Sequence, residues 1–320
     1  MKRLVAAGVA GVAILGLLAS TLAQAQQKKE VIWCAPVMGS SYYWDVLTAV
    51  ELGYMDQEGL ALKLVNNDTP VQAMQFVATA ACNIGSITTE VAMAAVDKGA
   101  GFKFVGSEDD RIAFVMLSRP EIKSFDELRG KTIGVTLLSE STATMIRLLL
   151  EKHGIKREEY NFLALGGTPN RYAALVRGAI SATMLSPPFD YKAEGDGMTR
   201  MGNAFDAFEG VGVVFVVDDK WAKANADALV GFLRAAARAQ KFLYDPSNKD
   251  KAVEILVKYT RSPPADIAKS YDSFYGKDHI MSPNAVLTDA LLQPWLDLHG
   301  TAEKPEHYID LTYWKRATGK

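Results

Sequence analysis

From Glu30 onward, short runs of apolar and β-branched residues alternate with stretches in which apolar side chains recur every three or four positions. The first pattern predicts buried strands and the second amphipathic helices, and their alternation predicts parallel α/β architecture. Strands are expected at 31–36, 61–65, 83–87, 102–106, 131–136, 161–165 and 181–186, with helices at 42–52, 70–79, 90–97, 141–153, 169–177 and 187–194. Two further runs, 112–117 and 211–217, are nearly all apolar and bracket the block between them. They suit two crossing hinge strands that carry the chain from one lobe into a second and back. The expected lobes are 26–113 with 215–320, and 114–214, each a mostly parallel sheet flanked by helices. Beyond Asp218 the pattern is helical, with Leu229, Phe232, Leu233, Ala236 and Leu243 at helical spacing. Ser262-Pro263 and Ser282-Pro283 are expected to open two more helices, serine as N-cap and proline at the first helical position. These C-terminal helices are expected to pack on the first lobe.

The N-terminus departs from this pattern. Lys2 and Arg3 precede an apolar run from 4 to 19, and Ala23-Gln24-Ala25 supplies a small-x-small cleavage signal. The run is shorter than the roughly 20 residues that span a bilayer, so residues 1–25 are expected to be a cleaved export leader. The mature chain is then expected to be exported. Lipidation is not expected, because the first cysteine, Cys34, lies in a strand-like run beyond the cleavage site.

Composition narrows the function. A net charge of −2 lacks the basic excess that binding to a phosphate backbone needs, which argues against a nucleic-acid partner. The two cysteines, Cys34 and Cys82, form no metal-ligand pattern; they are either a disulfide or two buried thiols. No G-x-S-x-G, H-E-x-x-H or Walker motif occurs, and Gly210-Val211-Gly212, expected within a strand, lacks the third glycine of a dinucleotide fingerprint. The acidic pairs Asp109-Asp110, Glu158-Glu159 and Asp218-Asp219 are expected to be solvated. Neither catalytic residues nor a cofactor or metal site are expected.

What remains is the set of loops after strand ends, where open parallel sheets bind ligands against helix N-termini. These loops carry Ser40, Ser41, Tyr42 and Tyr43; Ser86, Thr88 and Thr89; Ser139, Ser141 and Thr142; Thr168 and Arg171; and Pro187 and Phe189. Hydroxyls with one cation suit a small organic anion, although each hydroxyl alone is an ordinary helix cap. Tyr42, Tyr43 and Phe189 are equally ligand walls or packing residues. The anion is expected on Ser139, Ser141 and Thr142 at the head of the 141–153 helix, with Glu140 turned to solvent and Arg171 as the next candidate.

Four stretches carry a resemblance: ELGYMDQEGL at 51–60, IKSFDELRGKTIGV at 122–135, ALVRGAISA at 174–182 and LSPP at 185–188. With them the chain resembles the periplasmic substrate-binding proteins of nitrate/sulfonate/taurine-type ABC importers, a group that includes binders of thiamine-pyrimidine precursors. The resemblance implies a two-lobed periplasmic binding protein fold of type II character. It also implies the periplasm as the compartment of the exported chain, and a monomeric receptor that hands a sulfonate, aromatic carboxylate or related heterocycle to an inner-membrane permease and its ATPase. Two alternatives stay open: an enzyme like the relatives that make the thiamine pyrimidine, whose cysteine cluster is missing here, and a ligand-sensing subunit without transport.

Overall fold

The computed structural model describes residues 28–320, so the expected leader lies outside the described residues. Ten strands form two five-stranded sheets. They are β1 (Lys29–Pro36), β2 (Leu60–Asn67), β3 (Ile84–Thr88), β4 (Phe102–Ser107), β5 (Val115–Ser118), β6 (Thr132–Val135), β7 (Asn161–Ala164), β8 (Ala182–Leu185), β9 (Thr199–Asn203) and β10 (Val213–Asp218). The first sheet has the order β2-β1-β3-β10-β4 and the second β7-β6-β8-β5-β9. Each is parallel apart from one strand: β10 runs antiparallel between β3 and β4, and β5 antiparallel between β8 and β9. Those two strands are where the chain has just crossed from the other lobe. Helices cover both faces of the sheets, and β3, β8 and β5 are buried at every position.

The crossings differ from expectation. The runs at 112–117 and 211–217 do not bridge the lobes as strands; their strand portions, β5 and β10, lie inside opposite sheets, and the links are the irregular segments 108–114 and 204–212. Gly210-Val211-Gly212 likewise lies in a link and not in a strand. An apolar run reports burial, and burial here comes without strand pairing. Asp109 fastens the two links: its Oδ1 accepts from the N–H of Gly212 at 2.7 Å and of Val213 at 3.0 Å. Asp109 is wholly buried, so the expectation that it is solvated is corrected. Its sequence neighbours gave no sign that two backbone amides from a hundred residues away would solvate it.

The C-terminal region is helical as expected, with Ala226–Leu243 the longest helix, buried along one face in the first lobe's core. Its caps differ. After Ser262-Pro263 the helix is Pro264–Tyr271 and Pro263 holds the N-cap position, because the second proline takes the first helical turn. Ser282-Pro283 opens no helix; Ser282 closes a turn with Val286, and Asp289–His299 is capped by Thr288. This last helix does not keep to the first lobe. Trp295 donates its indole N–H to the Val211 carbonyl at 2.7 Å, bracing a crossing link. β9 was not foreseen, since its sequence, TRMGN, has no apolar run and every residue is only partly buried. Cys34 and Cys82 are free and buried. Among the described residues, no helix is long and apolar enough to cross a membrane.

Candidate ligand-binding cleft

The strand ends of the two sheets meet across a cleft whose walls touch. Ser41 N–H donates to the Pro187 carbonyl at 2.9 Å, and Ser40 Oγ lies 3.3 Å from Ser186 Oγ. Gly167 sits where a Cβ would come within 3.0 Å of the Asp68 carbonyl and of Val37, so glycine permits the lobes to approach this closely. The cavity enclosed between them is about 60 Å³. The first lobe contributes Pro36, Val37, Ser40, Tyr42, Tyr43, Asp68, Pro70, Thr88 and Val213; the second contributes Thr136, Gly167, Thr168, Arg171 and Ser186; Phe114 comes from a crossing link.

Arg171 dominates the electrostatics. Its side chain is 1% exposed, and among the described residues no carboxylate lies within salt-bridge distance of it, although the charge of buried Glu140 acts on it. Instead Nη1 donates to Thr136 Oγ1 and the Gly166 carbonyl, each at 2.6 Å. Nη2 donates to Thr168 Oγ1 at 3.2 Å and the Met184 carbonyl at 3.1 Å, and Nε to the same Met184 carbonyl at 3.2 Å. Burial lowers its pKa to about 10, so the guanidinium stays charged at neutral pH. The guanidinium is thus held by neutral oxygens at the cavity wall, and buried Glu140, whose pKa burial raises to about 7, is the acid whose charge acts on it.

The foreseen residues divide by position. Ser40, Tyr42, Tyr43, Thr88, Thr168 and Arg171 line the cavity. Tyr42 and Tyr43 are both walls and packing residues: the Tyr42 hydroxyl accepts from Ala113 N–H at 2.5 Å, and Tyr43 packs edge-on against Trp33. Thr88 Oγ1 is buried without a partner. Ser86 lies behind the wall, accepting from the Trp33 indole and donating to Glu108 at 2.5 Å. Thr89 bonds the Val211 carbonyl, and Ser41 and Pro187 meet through backbone atoms. Phe189 lines a neighbouring space between the lobes, which shares Val37, Asp68 and Gly167 with the cavity, and packs against Tyr172.

At the head of the helix Ser141–Lys152 the arrangement is not the expected one. Ser139 is exposed, while Ser141 and Thr142 are buried but outside the cavity lining. Thr142 Oγ1 accepts from Thr136 N–H at 3.0 Å and donates to Thr136 Oγ1 at 3.2 Å. Glu140 does not face solvent: it is 2% exposed, and burial raises its pKa to about 7 despite the Val71 N–H and the Arg171 charge. Packing of the two lobes overrides its preference for water. Residues outside the foreseen set include Thr136, Ser186, Phe114 and Gly167. Thr136 ends an expected strand and Ser186 another, so strand-end position was the available signal.

Two α/β sheets, two crossing links and a cleft between strand ends define a two-lobed binding-protein fold. The chain belongs to the family described as NMT1/THI5 like, whose model matches residues 40–249. No curated protein matches the chain. Solved structures share the fold at low identity. The alkanesulfonate-binding protein from Xanthomonas axonopodis pv. citri, bound to MOPS, is 16% identical with a TM-score of 0.72, covering 92% of this chain and 96% of its own. The periplasmic nitrate-binding protein from Synechocystis PCC 6803 is 11% identical with a TM-score of 0.75, covering 92% and 89%. The ligand-binding component of an ABC-type import system from Staphylococcus aureus, with zinc bound, is 14% identical with a TM-score of 0.77, covering 92% and 100%. Among the described residues, no group of three or more His, Cys, Asp or Glu is placed to hold a metal ion.

Proposed function

We propose that the protein is a monomeric periplasmic solute receptor that delivers a small organic anion to an inner-membrane ABC permease and its ATPase. The observation that carries this reading is Arg171, a buried guanidinium at the cavity wall with no carboxylate within salt-bridge distance among the described residues. One such charge suits a ligand carrying one negative charge near it. A compact carboxylate or sulfonate fits the cavity itself, while a bulkier acid would extend into the neighbouring space that shares Val37, Asp68 and Gly167 with it. Tyr42, Tyr43 and Phe114 would cover the ligand's apolar part.

The test is a thermal-shift screen of the mature chain against small sulfonates, aliphatic and aromatic carboxylates, and neutral heterocycles. A ligand present at 100 times its dissociation constant raises apparent stability by about 2.7 kcal/mol. Compact monoanions are expected to raise the melting temperature. A response confined to neutral or cationic compounds would overturn the reading.

A further inference from the structure

All five N–H donors of Arg171 are already directed at oxygens of the protein: Met184 twice, and Gly166, Thr136 and Thr168 once each. A direct salt bridge would have to displace bonds that the guanidinium already makes, to the Met184 carbonyl, the half-buried Gly166 carbonyl or the two threonine hydroxyls. The geometry at Thr136 offers a route that breaks nothing. Its Oγ1 accepts from Arg171 Nη1 at 2.6 Å and from Thr142 Oγ1 at 3.2 Å, which occupies both lone pairs. Thr142 Oγ1, which also takes the Thr136 N–H at 3.0 Å, is placed as the donor of the second bond. Among the described residues the Thr136 hydroxyl proton has no acceptor, and Thr136 lines the cavity. Such a hydroxyl serves the next group only as a donor, and a donor polarised by an adjacent cation favours an anion.

We propose that the ligand's anionic group is bound by the Thr136 hydroxyl proton, with Arg171 as a positioning residue that fixes and polarises this hydroxyl and does not touch the ligand. Thr168 is held in the same manner by Nη2 and shares its own hydroxyl with Ser186, whose Oγ is 3.2 Å away, so a second donor stands beside the first. The proposal rests on the reading of the cavity as an anion site, and its test separates the two.

Methanesulfonate is the probe, titrated calorimetrically into wild type, Thr136→Val, Thr136→Ser and Arg171→Lys. Thr136→Val is expected to weaken binding about 10- to 100-fold, the range for a hydrogen bond to a charged group, while Thr136→Ser stays within about threefold. A merely structural role for Thr136 would lower the ligand-free melting temperature of Thr136→Val without the serine restoring affinity. Thr136→Val within threefold of wild type, combined with lost binding in Arg171→Lys, would overturn the proposal in favour of a direct salt bridge. Neutron diffraction from ligand-free, deuterium-exchanged crystals gives a readout independent of the probe. A deuteron on Thr136 Oγ1 directed into the cavity supports the assignment, and one directed at Thr142 Oγ1 contradicts it. If methanesulfonate fails to bind wild type while the deuteron points into the cavity, the chosen anion class fails and the hydroxyl assignment stands.

Discussion

Asp45, Glu108 and Asp109 are wholly buried, and Glu140 nearly so. Desolvation raises all four: Asp45 to about 6, Glu140 to about 7, and Glu108 and Asp109 well above the usual carboxylate range. Asp45 and Glu108 share a hydrogen bond, and the nearby charge of Asp45 adds to the burial of Glu108, so the pair holds a proton at neutral pH. Asp110 and Asp190, also raised to about 6 by burial, act in the same direction. An acid whose folded pKa is raised favours folding fully below its unfolded pKa, and that contribution is lost as pH rises through the folded value. The ligand-free melting temperature is therefore expected to fall between about pH 5 and pH 8, as Asp45, Asp110, Asp190 and Glu140 ionise in place. Scanning calorimetry at those two pH values checks this, and a melting temperature that rises toward pH 8 would contradict it.

Among the elements, the two crossing links are the least regular, and Asp109 holds them together through the amides of Gly212 and Val213. Asp109→Ala strands both buried N–H groups, each at a cost of about 1–3 kcal/mol. We expect a loss of stability of about 2 kcal/mol or more in urea titration, and a loss below about 0.5 kcal/mol would show that water replaces the carboxylate. The strands were legible because their apolar runs are buried on both faces: β1, β4 and β8 fall within two residues of their expected limits. The edge strand β9 carries no such run and was invisible. The same limit applied at the cleft. Strand ends indicated which loops converge, and so placed Ser40, Thr88, Thr168 and Arg171 near one another. They did not indicate which way Glu140 turns or that Thr142 bonds Thr136, because those outcomes depend on how the lobes pack. Within the stretches at 122–135 and 174–182, Gly130 and Gly178 have φ of 73° and 75°, a left-handed conformation that glycine adopts at little cost.

At the scale of the whole molecule, two lobes close on a cavity with one buried positive charge, joined by the two links that let such lobes rotate about each other. The contacts across the cleft include polar ones, among them Ser41 to Pro187 and Thr144 to Glu90 at 3.0 Å. The charge of Arg171 is the feature that should decide the occupant, and matched pairs of compounds isolate it from shape. The direct measurement is calorimetric titration of the mature chain with methanesulfonate and its neutral counterpart methanesulfonamide, and with acetate and acetamide. The anion of at least one pair is expected to bind about tenfold or more tightly than its neutral counterpart, a difference of about 1.4 kcal/mol. Equal affinity within both pairs, or tighter binding of the amides, would contradict an anion receptor built on Arg171.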